Sequence, residues 1–290
     1  MVEPVGFAAN PETAADNAFQ RPVEGDLAEV RERARAEFDA FAATLRDRGV
    51  EVEIATPADD STPDAVFPNN WFSTRPDGTL VLYPMRPASR RRERRPEIVE
   101  ALVQRYGSVI DFSDQEGAGR FLEGTGSLVI DEPHRIVYAS VSSRTDPELV
   151  ADWAERFGYD SIMFRALDRE GVEIYHTNVM MTVGTGWAAI ASQAIESDAD
   201  RGEVLASLAE TGHETIDLTV DQMHEFCGNL LELETADGGL VAVMSDRAHR
   251  AFRPEQISIL EKYADVVHVD LTTIETHGGG SARCMLAELH

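Results

Sequence analysis

The stretch SLVIDEPHRIVYASVSSRTDPELVADWAERFGYDSIMF, residues 127–164, decides the fold. It opens with two strand-like runs, Ser127–Asp131 and Ile136–Val141, on either side of a short turn. A helical pattern follows over 147–157, with a proline after an aspartate at its start and a glycine just past its end. The next run, Tyr159–Phe164, is again strand-like. The stretch therefore predicts a strand pair, a helix and a further strand.

The same pattern recurs along the chain. Helical patterns cover 27–48, 97–106, 147–157, 202–211 and 255–263, and their ends are 51 to 58 residues apart. A strand-like run follows each of them, at Val50–Ala55, Ser108–Phe112, Tyr159–Phe164, His213–Leu218 and Asp265–Leu271. Repeats of this length are typical of a propeller or another closed array. An ordinary α/β chain with evenly spaced helices is the alternative.

The composition limits the classes of protein to consider. Hydrophobic residues make up 43% of the 290 residues, which excludes a disordered chain. The 52 acidic residues outnumber the 26 basic ones, and the net charge of −26 argues against a nucleic-acid partner. Lys262 is the single lysine, which suits a halophile with an acidic proteome or a GC-rich genome. Without a membrane-length apolar run or a leader pattern, we expect a cytoplasmic protein with no membrane partner.

The repeat aligns residues that carry chemistry. Steps of 53, 53, 53 and 55 residues connect Asn70, Glu123, His176, Asn229 and Cys284. If the units close around an axis, these positions face one another. A thiol, an imidazole and a carboxylate are the set that nucleophilic catalysis needs.

Each member of this set has a simpler explanation when taken alone. Cys284 would be a buried thiol, His176 a hydrogen-bonded core histidine and Glu123 a surface carboxylate at a strand edge. Cys284 ends the segment HGGGSARC, where glycines allow close backbone approach and Arg283 can favour a thiolate. For Cys227 we expect core packing. Two cysteines make no disulfide framework, and the eight histidines show no metal spacing.

Polar residues near the middle of the chain indicate a ligand site. Asn69 and Asn70 stand among aromatic residues in VFPNNWF, 66–72, and buried amides need hydrogen-bond partners. A polar neutral ligand would supply them, and a turn stabilised by asparagine is the alternative. Arg90 and Arg144 are candidate clamps for a carboxylate. The arginine run around Arg90 is also typical of a solvated helix start.

At these residues the chain resembles the pentein, or guanidino-group-modifying, superfamily. The resemblance covers nearly the whole chain and implies one catalytic domain, 1–290, folded as a five-bladed pseudo-symmetric α/β propeller of ββαβ repeats. It implies Cys284 as nucleophile, His176 as the catalytic histidine and Glu123 as the acid, with no metal or organic cofactor. Asp64, in DAVF, resembles the start of the substrate loop. Arg90 and Arg144 resemble the arginines that hold a substrate α-carboxylate.

Three segments are similar to the citrulline utilization hydrolase branch: NPETA (10–14), FPNNWFS (67–73) and FCGNLLE (226–232). Arginine deiminases usually carry aspartates where this chain has Asn70 and Asn178. Neutral amides suit a neutral ureido group better than a guanidinium, which would lose two charge-assisted hydrogen bonds of about 1.5–3 kcal/mol each. The prediction is hydrolysis of citrulline to ornithine, carbon dioxide and ammonia, with Asn69, Asn70, Asn178 and Asn229 among the substrate-binding residues.

Two alternatives stay open. The chain could be a deiminase or dihydrolase of arginine, dimethylarginine or succinylarginine, or a non-catalytic pentein that binds a macromolecule. We expect the partner to be a small-molecule amino acid. Both a monomer and a homo-oligomer stay open. The segment Ala8–Arg21, rich in small and polar residues, is a candidate lid.

Overall fold

The computed structural model describes residues 1–14 and 17–290 and shows an α/β fold. Its strands are β1 Phe72–Thr74, β2 Thr79–Leu82, β3 Ser108–Asp111, β4 Val129–Asp131, β5 Ile136–Ser140, β6 Asp160–Phe164, β7 Met181–Val183, β8 Trp187–Ile190, β9 Glu214–Asp217, β10 Leu231–Glu234, β11 Leu240–Ser245 and β12 Asp265–Val269. Its α-helices are α1 Leu27–Asp47, α2 Ala88–Arg91, α3 Pro96–Arg105, α4 Gly124–Ser127, α5 Pro147–Phe157, α6 Asp198–Glu210, α7 Val220–His224, α8 Asp246–Ala251, α9 Pro254–Leu260 and α10 Thr272–Gly278. None of the helices described is long and apolar enough to cross a bilayer.

The strands form mixed three-stranded sheets of one design. In the order β1-β2-β3, the first two strands are an antiparallel hairpin, and the third lies parallel to the second after a helical crossover. The sheets β4-β5-β6, β7-β8-β9 and β10-β11-β12 repeat this arrangement. A parallel pair needs such a crossover because its strands run in the same direction. The predicted ββαβ unit is therefore present in four copies within the described residues.

Helix α5 begins and ends at the capping residues that the sequence predicts. The Asp146 carboxylate accepts hydrogen bonds from the first free backbone amides of the helix, and Pro147 occupies the first turn. Gly158 ends the helix with φ +69°, the left-handed conformation that favours glycine. Trp153 and Leu149 are buried on the side that packs in the core. The predicted helix 147–157 is confirmed residue for residue.

Two other predicted helices have an end shifted by three or four residues. Helix α6 begins at Asp198 rather than at 202, because the Ser197 hydroxyl accepts a hydrogen bond from the Asp200 amide and caps it there. Helix α9 ends at Leu260, three residues before the predicted end.

The fifth unit differs from the expectation. The predicted strand Val50–Ala55 is reduced to one parallel bridge between Val2 and Ala55, and much of this run is exposed. Glu3 N donates to the Ala55 carbonyl and Ala55 N donates to the Met1 carbonyl, both at 2.9 Å, and the N-terminal ammonium of Met1 donates to the Glu53 carbonyl at 2.9 Å. No hairpin precedes it among the described residues, so nothing extends the pairing. The four sheets are separate, and the expected closed five-bladed propeller is not confirmed.

Short turns precede the first strand of each unit and position the site. They are Pro68–Asn70 before β1, Gly124–Ser127 before β4, Thr177–Val179 before β7 and Glu225–Gly228 before β10. A fifth turn, Ala282–Met285, lies near the end of the chain. We refer to these five segments as the leading turns. Because they occupy equivalent places in the repeat, residues far apart in sequence meet at one region.

Candidate active site

The leading turns bring together the residues that the repeat aligned. Asn70, Glu123, His176, Asn229 and Cys284 all lie in or directly beside a leading turn, and each is at most 6% exposed. A buried cluster of this polarity is costly unless its members bind one another or a ligand.

The Cys284 thiol sits between two amides. Asn229 Nδ2 lies 3.2 Å from Cys284 Sγ, and Asn178 Nδ2 lies 3.7 Å from it. The Cys284 backbone amide donates to Asn229 Oδ1 over 3.4 Å. Asn229 also donates to the Asn178 carbonyl, which fixes the two amides relative to each other. The arrangement places hydrogen-bond donors around a sulfur that can carry negative charge.

His176 and Glu123 form the second part of the site. His176 Nε2 lies 2.8 Å from Glu123 Oε2, and the other carboxylate oxygen accepts from the Arg86 amide at 2.9 Å. Burial opposes ionisation of Glu123, but Arg144 and the His176 hydrogen bond outweigh it and lower its pKa to about 2. The Arg144 guanidinium lies 3.5 Å from Glu123 and stacks over the Tyr175 ring.

The charge on Glu123 decides which nitrogen of His176 carries the proton. An ionised carboxylate can only accept, so Nε2 donates to it and Nδ1 keeps a free lone pair when the ring is neutral. Burial lowers the pKa of His176, and the Glu123 contact offsets only part of that effect. His176 is therefore a neutral base at neutral pH, with Nδ1 free to take a proton.

Arg90 holds Asn70 in one orientation. Its guanidinium donates to Asn70 Oδ1 at 2.7 Å, to the Phe67 carbonyl at 3.0 Å and twice to Glu93 at 2.9 Å. Arginine has donors only, so the Asn70 oxygen must face it and the amide nitrogen must face away. The predicted carboxylate clamp is thus largely engaged by protein acceptors.

Several buried polar atoms at the predicted binding residues have no hydrogen-bond partner within residues 1–14 and 17–290. They are Asp64 Oδ1, both side-chain polar atoms of Asn69, Asn70 Nδ2 and Asn178 Oδ1. All four residues are at most 2% exposed. An unsatisfied buried polar group costs about 1–3 kcal/mol, so such a concentration indicates a site that a polar ligand completes.

Glycines allow the groups to approach closely. A Cβ on Gly126 would lie 2.4 Å from Asn70 Nδ2 and 2.9 Å from His176 Nδ1, so these two nitrogens flank the same spot. A Cβ on Gly280 would lie 2.9 Å from the Phe67 ring and 3.2 Å from Cys284 Cβ. No other residue type fits at either position without displacing the site.

The predicted lid segment covers the glycine-rich loop. Asn17 reaches the Gly278 and Gly279 carbonyls at 3.5 Å, and the Arg21 amide donates to the Thr276 carbonyl at 2.7 Å. Asn10 donates to Asp64 Oδ2 at 2.7 Å and so connects the segment to the site. Residues 15 and 16 of this segment lie outside the described residues.

Cys227 behaves as the sequence predicted. It is fully buried, and burial raises the pKa of its thiol to about 12. Its sulfur lies 3.4 Å from the Ala248 carbonyl, and the residue belongs to the hydrophobic core. The two cysteines are therefore easy to distinguish: Cys227 belongs to the core, and Cys284 lies among polar side chains.

Sequence reasoning missed three supporting residues. Glu93, buried beside Arg90, follows it by three residues, and this spacing on a helical turn was a usable signal. Asn10 was noticed only as part of a similar segment. Phe226 has φ +62°, which is rare for an aromatic residue, and no local sequence pattern marks it. It directs the chain into the turn that presents Asn229, whose amide donates to the Phe226 carbonyl.

A protein-family model matches nearly the whole chain. The family model described as N,N dimethylarginine dimethylhydrolase, eukaryotic, matches residues 3–290. Among curated proteins, none matches the chain significantly.

Solved structures share the fold. The N-terminal domain of ArgZ, described as an arginine dihydrolase from the ornithine–ammonia cycle in cyanobacteria, was solved as a cysteine-to-serine variant with substrate. It gives a TM-score of 0.75 at 16% identity over 98% of this chain and 95% of that one. AgrE, as a cysteine-to-alanine variant with L-arginine, gives 0.75 at 19% identity over 98% of this chain but 39% of that one. A dimethylarginine dimethylaminohydrolase, as a histidine-to-glycine variant with an S-methyl-L-thiocitrulline adduct, gives 0.66 at 17% identity over 98% and 96%. At these identities the likeness shows the fold alone.

Proposed function

The chain belongs to the N,N dimethylarginine dimethylhydrolase family, whose relatives are hydrolases of C–N bonds in guanidino compounds, and we propose that it hydrolyses citrulline to ornithine, carbon dioxide and ammonia. We further infer that residues 1–290 act as one catalytic domain, since its catalytic groups come from turns spread over the chain. We also propose that the four sheets are blades of a five-bladed propeller, and that the bridge between Val2 and Ala55 and helix α1 are what remains of the fifth blade.

The observation that carries the substrate choice is the orientation of Asn70. Because Arg90 holds Asn70 Oδ1, the partnerless Nδ2 presents a hydrogen-bond donor to the site. A ureido group offers a carbonyl oxygen that accepts such a donor, whereas a guanidinium has donors only. A donor facing a donor would leave both unsatisfied, which costs about 1–3 kcal/mol for each buried group.

The acceptors in the site suit the other end of the ureido group. Asn178 Oδ1 has no hydrogen-bond partner among the residues that the structure describes, and we propose that it accepts from the terminal ureido nitrogen. Asn229 holds both Asn178 and the thiol, so it positions the reacting groups. Asn69, with its unsatisfied amide, is the neighbouring candidate for substrate contact.

The proposed reaction has two halves. His176 takes the proton of the Cys284 thiol, and the resulting thiolate attacks the ureido carbon. The bond to the terminal nitrogen then breaks, and His176 returns that proton so that ammonia leaves. This gives an S-carbamoyl intermediate that still carries the ornithine nitrogen. His176 then takes a proton from water, whose oxygen attacks the same carbon and releases the thiolate. The resulting carbamate separates into ornithine and carbon dioxide.

The charged groups have distinct roles in this scheme. Glu123 orients His176 and stabilises the imidazolium that forms when a proton is taken up. Arg144, which contacts Glu123 and Tyr175, is the proposed partner of the α-carboxylate. Arg90 supports the binding of the ureido group because it holds Asn70. One hydrogen on Arg90 Nη1 is left over within the described part of the chain, and we propose that it donates to the α-carboxylate.

Arginine is the second candidate substrate, and Asp64 favours it. Asp64 Oδ1 is a buried carboxylate oxygen with no partner, which a cationic guanidinium would satisfy. Burial raises the pKa of Asp64, in spite of Arg90. A protonated Asp64 would instead donate to a neutral group. Dimethylarginine is a third substrate to test, because the matching family carries its name.

The test is product analysis with citrulline, arginine and dimethylarginine as substrates, each at low and high salt, with ammonia, dimethylamine, citrulline and ornithine measured. We expect ornithine and ammonia from citrulline, none from the Cys284→Ser variant, and retained turnover in the matched Cys227→Ala control. Conversion of arginine or dimethylarginine to citrulline, with no turnover of citrulline itself, would overturn the substrate assignment. No turnover of any substrate by a folded protein would favour a non-catalytic binding role.

A further inference from the structure

Asp131, His134 and His213 form a polar cluster away from the thiol site. Asp131 ends β4, His134 lies in the turn between β4 and β5, and His213 directly precedes β9 of the next unit. One ligand atom from each residue lies within 4.8 Å of the other two. The three residues also line a cavity of about 870 Å³, which extends to Asn178 and Arg283 but is not lined by Cys284, His176 or Glu123.

The hydrogen bonds of His213 leave a lone pair facing Asp131. The Thr211 hydroxyl donates to the Ser207 carbonyl at 2.9 Å, so it must accept from His213 Nδ1 at 2.7 Å. In a neutral ring the proton is then on Nδ1, and Nε2 is an acceptor. That nitrogen lies 3.8 Å from Asp131 Oδ2, beyond hydrogen-bond distance, with both side chains at most 2% exposed. Two buried acceptors face each other with room for a cation between them.

His134 completes the donor set from the other side. Its Nδ1 lies 2.9 and 3.0 Å from the two oxygens of Asp131. Its side chain is 40% exposed, so the ring can turn toward an ion that enters from the cavity. The net charge of −26 raises the concentration of cations near the surface.

We propose that Asp131, His134 and His213 bind a zinc ion. Two imidazoles and a carboxylate are ligands that Zn²⁺ prefers, and ligand atoms about 2.0–2.1 Å from a tetrahedral ion lie roughly 3.3 Å apart. The observed separations of 2.9 and 3.8 Å lie on either side of that value. Thr211 fixes the His213 tautomer, as hydrogen-bonding partners behind metal-binding histidines commonly do. The cavity leaves a fourth position for water.

The ion would connect the second and third ββαβ units. His213 comes from the loop before β9, whereas the other two ligands come from the β4–β5 hairpin. A metal bound across two units binds the folded chain better than the unfolded one and therefore raises its stability. This site is independent of the thiol chemistry, so its test needs no substrate.

The test is calorimetric titration of the metal-free full chain with Zn²⁺, in a Cys284→Ser background that removes the Cys284 thiol as a competing ligand. Co²⁺ is the spectroscopic probe, because tetrahedral nitrogen and oxygen ligation gives intense visible absorption. We expect one Zn²⁺ per chain, a rise in melting temperature, and at least a tenfold loss of affinity in both His134→Gln and His213→Gln. The matched control is His268→Gln, since His268 contacts Asp246 in a more exposed histidine–aspartate pair.

The outcomes separate the alternatives. His134→Gln alters a partly exposed side chain, so this variant is expected to fold even if His213→Gln does not, and circular dichroism checks both. Absence of stoichiometric Zn²⁺ binding to the folded parent chain would overturn the proposal and leave an ordinary histidine–aspartate cluster. Binding that survives both variants but is lost in His224→Gln would also overturn it, because it would assign the ion to the cluster of Asp168, Glu170 and His224.

Discussion

Replacing Asn70 with aspartate tests the substrate assignment most directly. The change keeps the shape of the side chain and the oxygen that accepts from Arg90 at 2.7 Å. It replaces the partnerless amide nitrogen with a second oxygen, so a hydrogen-bond donor in the site becomes an acceptor. Because Arg90 can pair with the new carboxylate, we expect Asn70→Asp to fold with little change in melting temperature.

The magnitude follows from the burial of this group. Asn70 is 2% exposed, so water cannot replace the lost donor. The lost neutral hydrogen bond costs about 1 kcal/mol, and the unsatisfied acceptor that faces the ureido oxygen costs about 1–3 kcal/mol. The total loss of stabilisation is roughly 2–4 kcal/mol. At 1.36 kcal/mol for each factor of ten, kcat/KM for citrulline should fall about 30- to 1000-fold. For arginine, a new charge-assisted hydrogen bond should raise kcat/KM about tenfold or more.

The assay is steady-state ammonia release from citrulline and product analysis with arginine, for the parent and the variant at constant ionic strength. Asn69→Asp is the comparison variant, since Asn69 is adjacent and equally buried but has no Arg90 contact. We expect Asn69→Asp to change the preference between the two substrates much less than Asn70→Asp. Equal losses for both substrates in Asn70→Asp, or an equal change of preference in Asn69→Asp, would refute the orientation argument.

Two further predictions concern buried carboxyls. Burial lowers the pKa of His176, and the charge on Glu123 partly offsets this effect. Glu123→Gln removes that charge, so the acid limb of the kcat/KM profile, already expected below pH 6.5, should move to lower pH while kcat falls at least a hundredfold. A limb that moves to higher pH would contradict this. Burial raises the pKa of Glu275 from 4.5 to about 7, so the folded state binds more protons than the unfolded one between these values and stability falls as pH rises through them. Glu275→Gln should therefore stabilise the protein by up to about 3 kcal/mol at pH 8 and by much less at pH 5; thermal melts at both pH values measure this difference, and equal shifts at both would argue against it.

The repeat was predictable because local rules determine it. The aspartate, proline and glycine around α5 set its two ends without help from the rest of the fold. The fifth unit was not predictable in the same way, since whether Val50–Ala55 becomes a strand depends on a partner strand rather than on its own residues.

The residue types of the site were predictable, but their orientations were not. A period of 53 residues aligned Glu123 with His176, which lie in contact. The direction in which Asn70 points depends on Arg90, twenty residues away, and Arg90 in turn is held by Glu93. The histidine spacing in the sequence showed no metal motif, because His134 and His213 come from different units and meet only when the units pack side by side.

The charge in the site connects these orientations with the substrate. Three buried carboxyls, Asp64, Glu93 and Glu123, lie with two buried guanidiniums, Arg90 and Arg144. Glu123 is ionised, but burial raises the pKa of Asp64 and of Glu93, in spite of Arg90. If these two share one proton, and Cys284 is a neutral thiol until His176 takes its proton, the five groups and Cys284 together carry no net charge, and a substrate with no net charge binds without leaving an unpaired buried charge. If both are ionised, the sum is −1, which suits a substrate of net charge +1. Citrulline has no net charge, whereas arginine has one positive charge. A single proton shared by Asp64 and Glu93 would therefore favour citrulline, as the hydrogen-bond donor of Asn70 does.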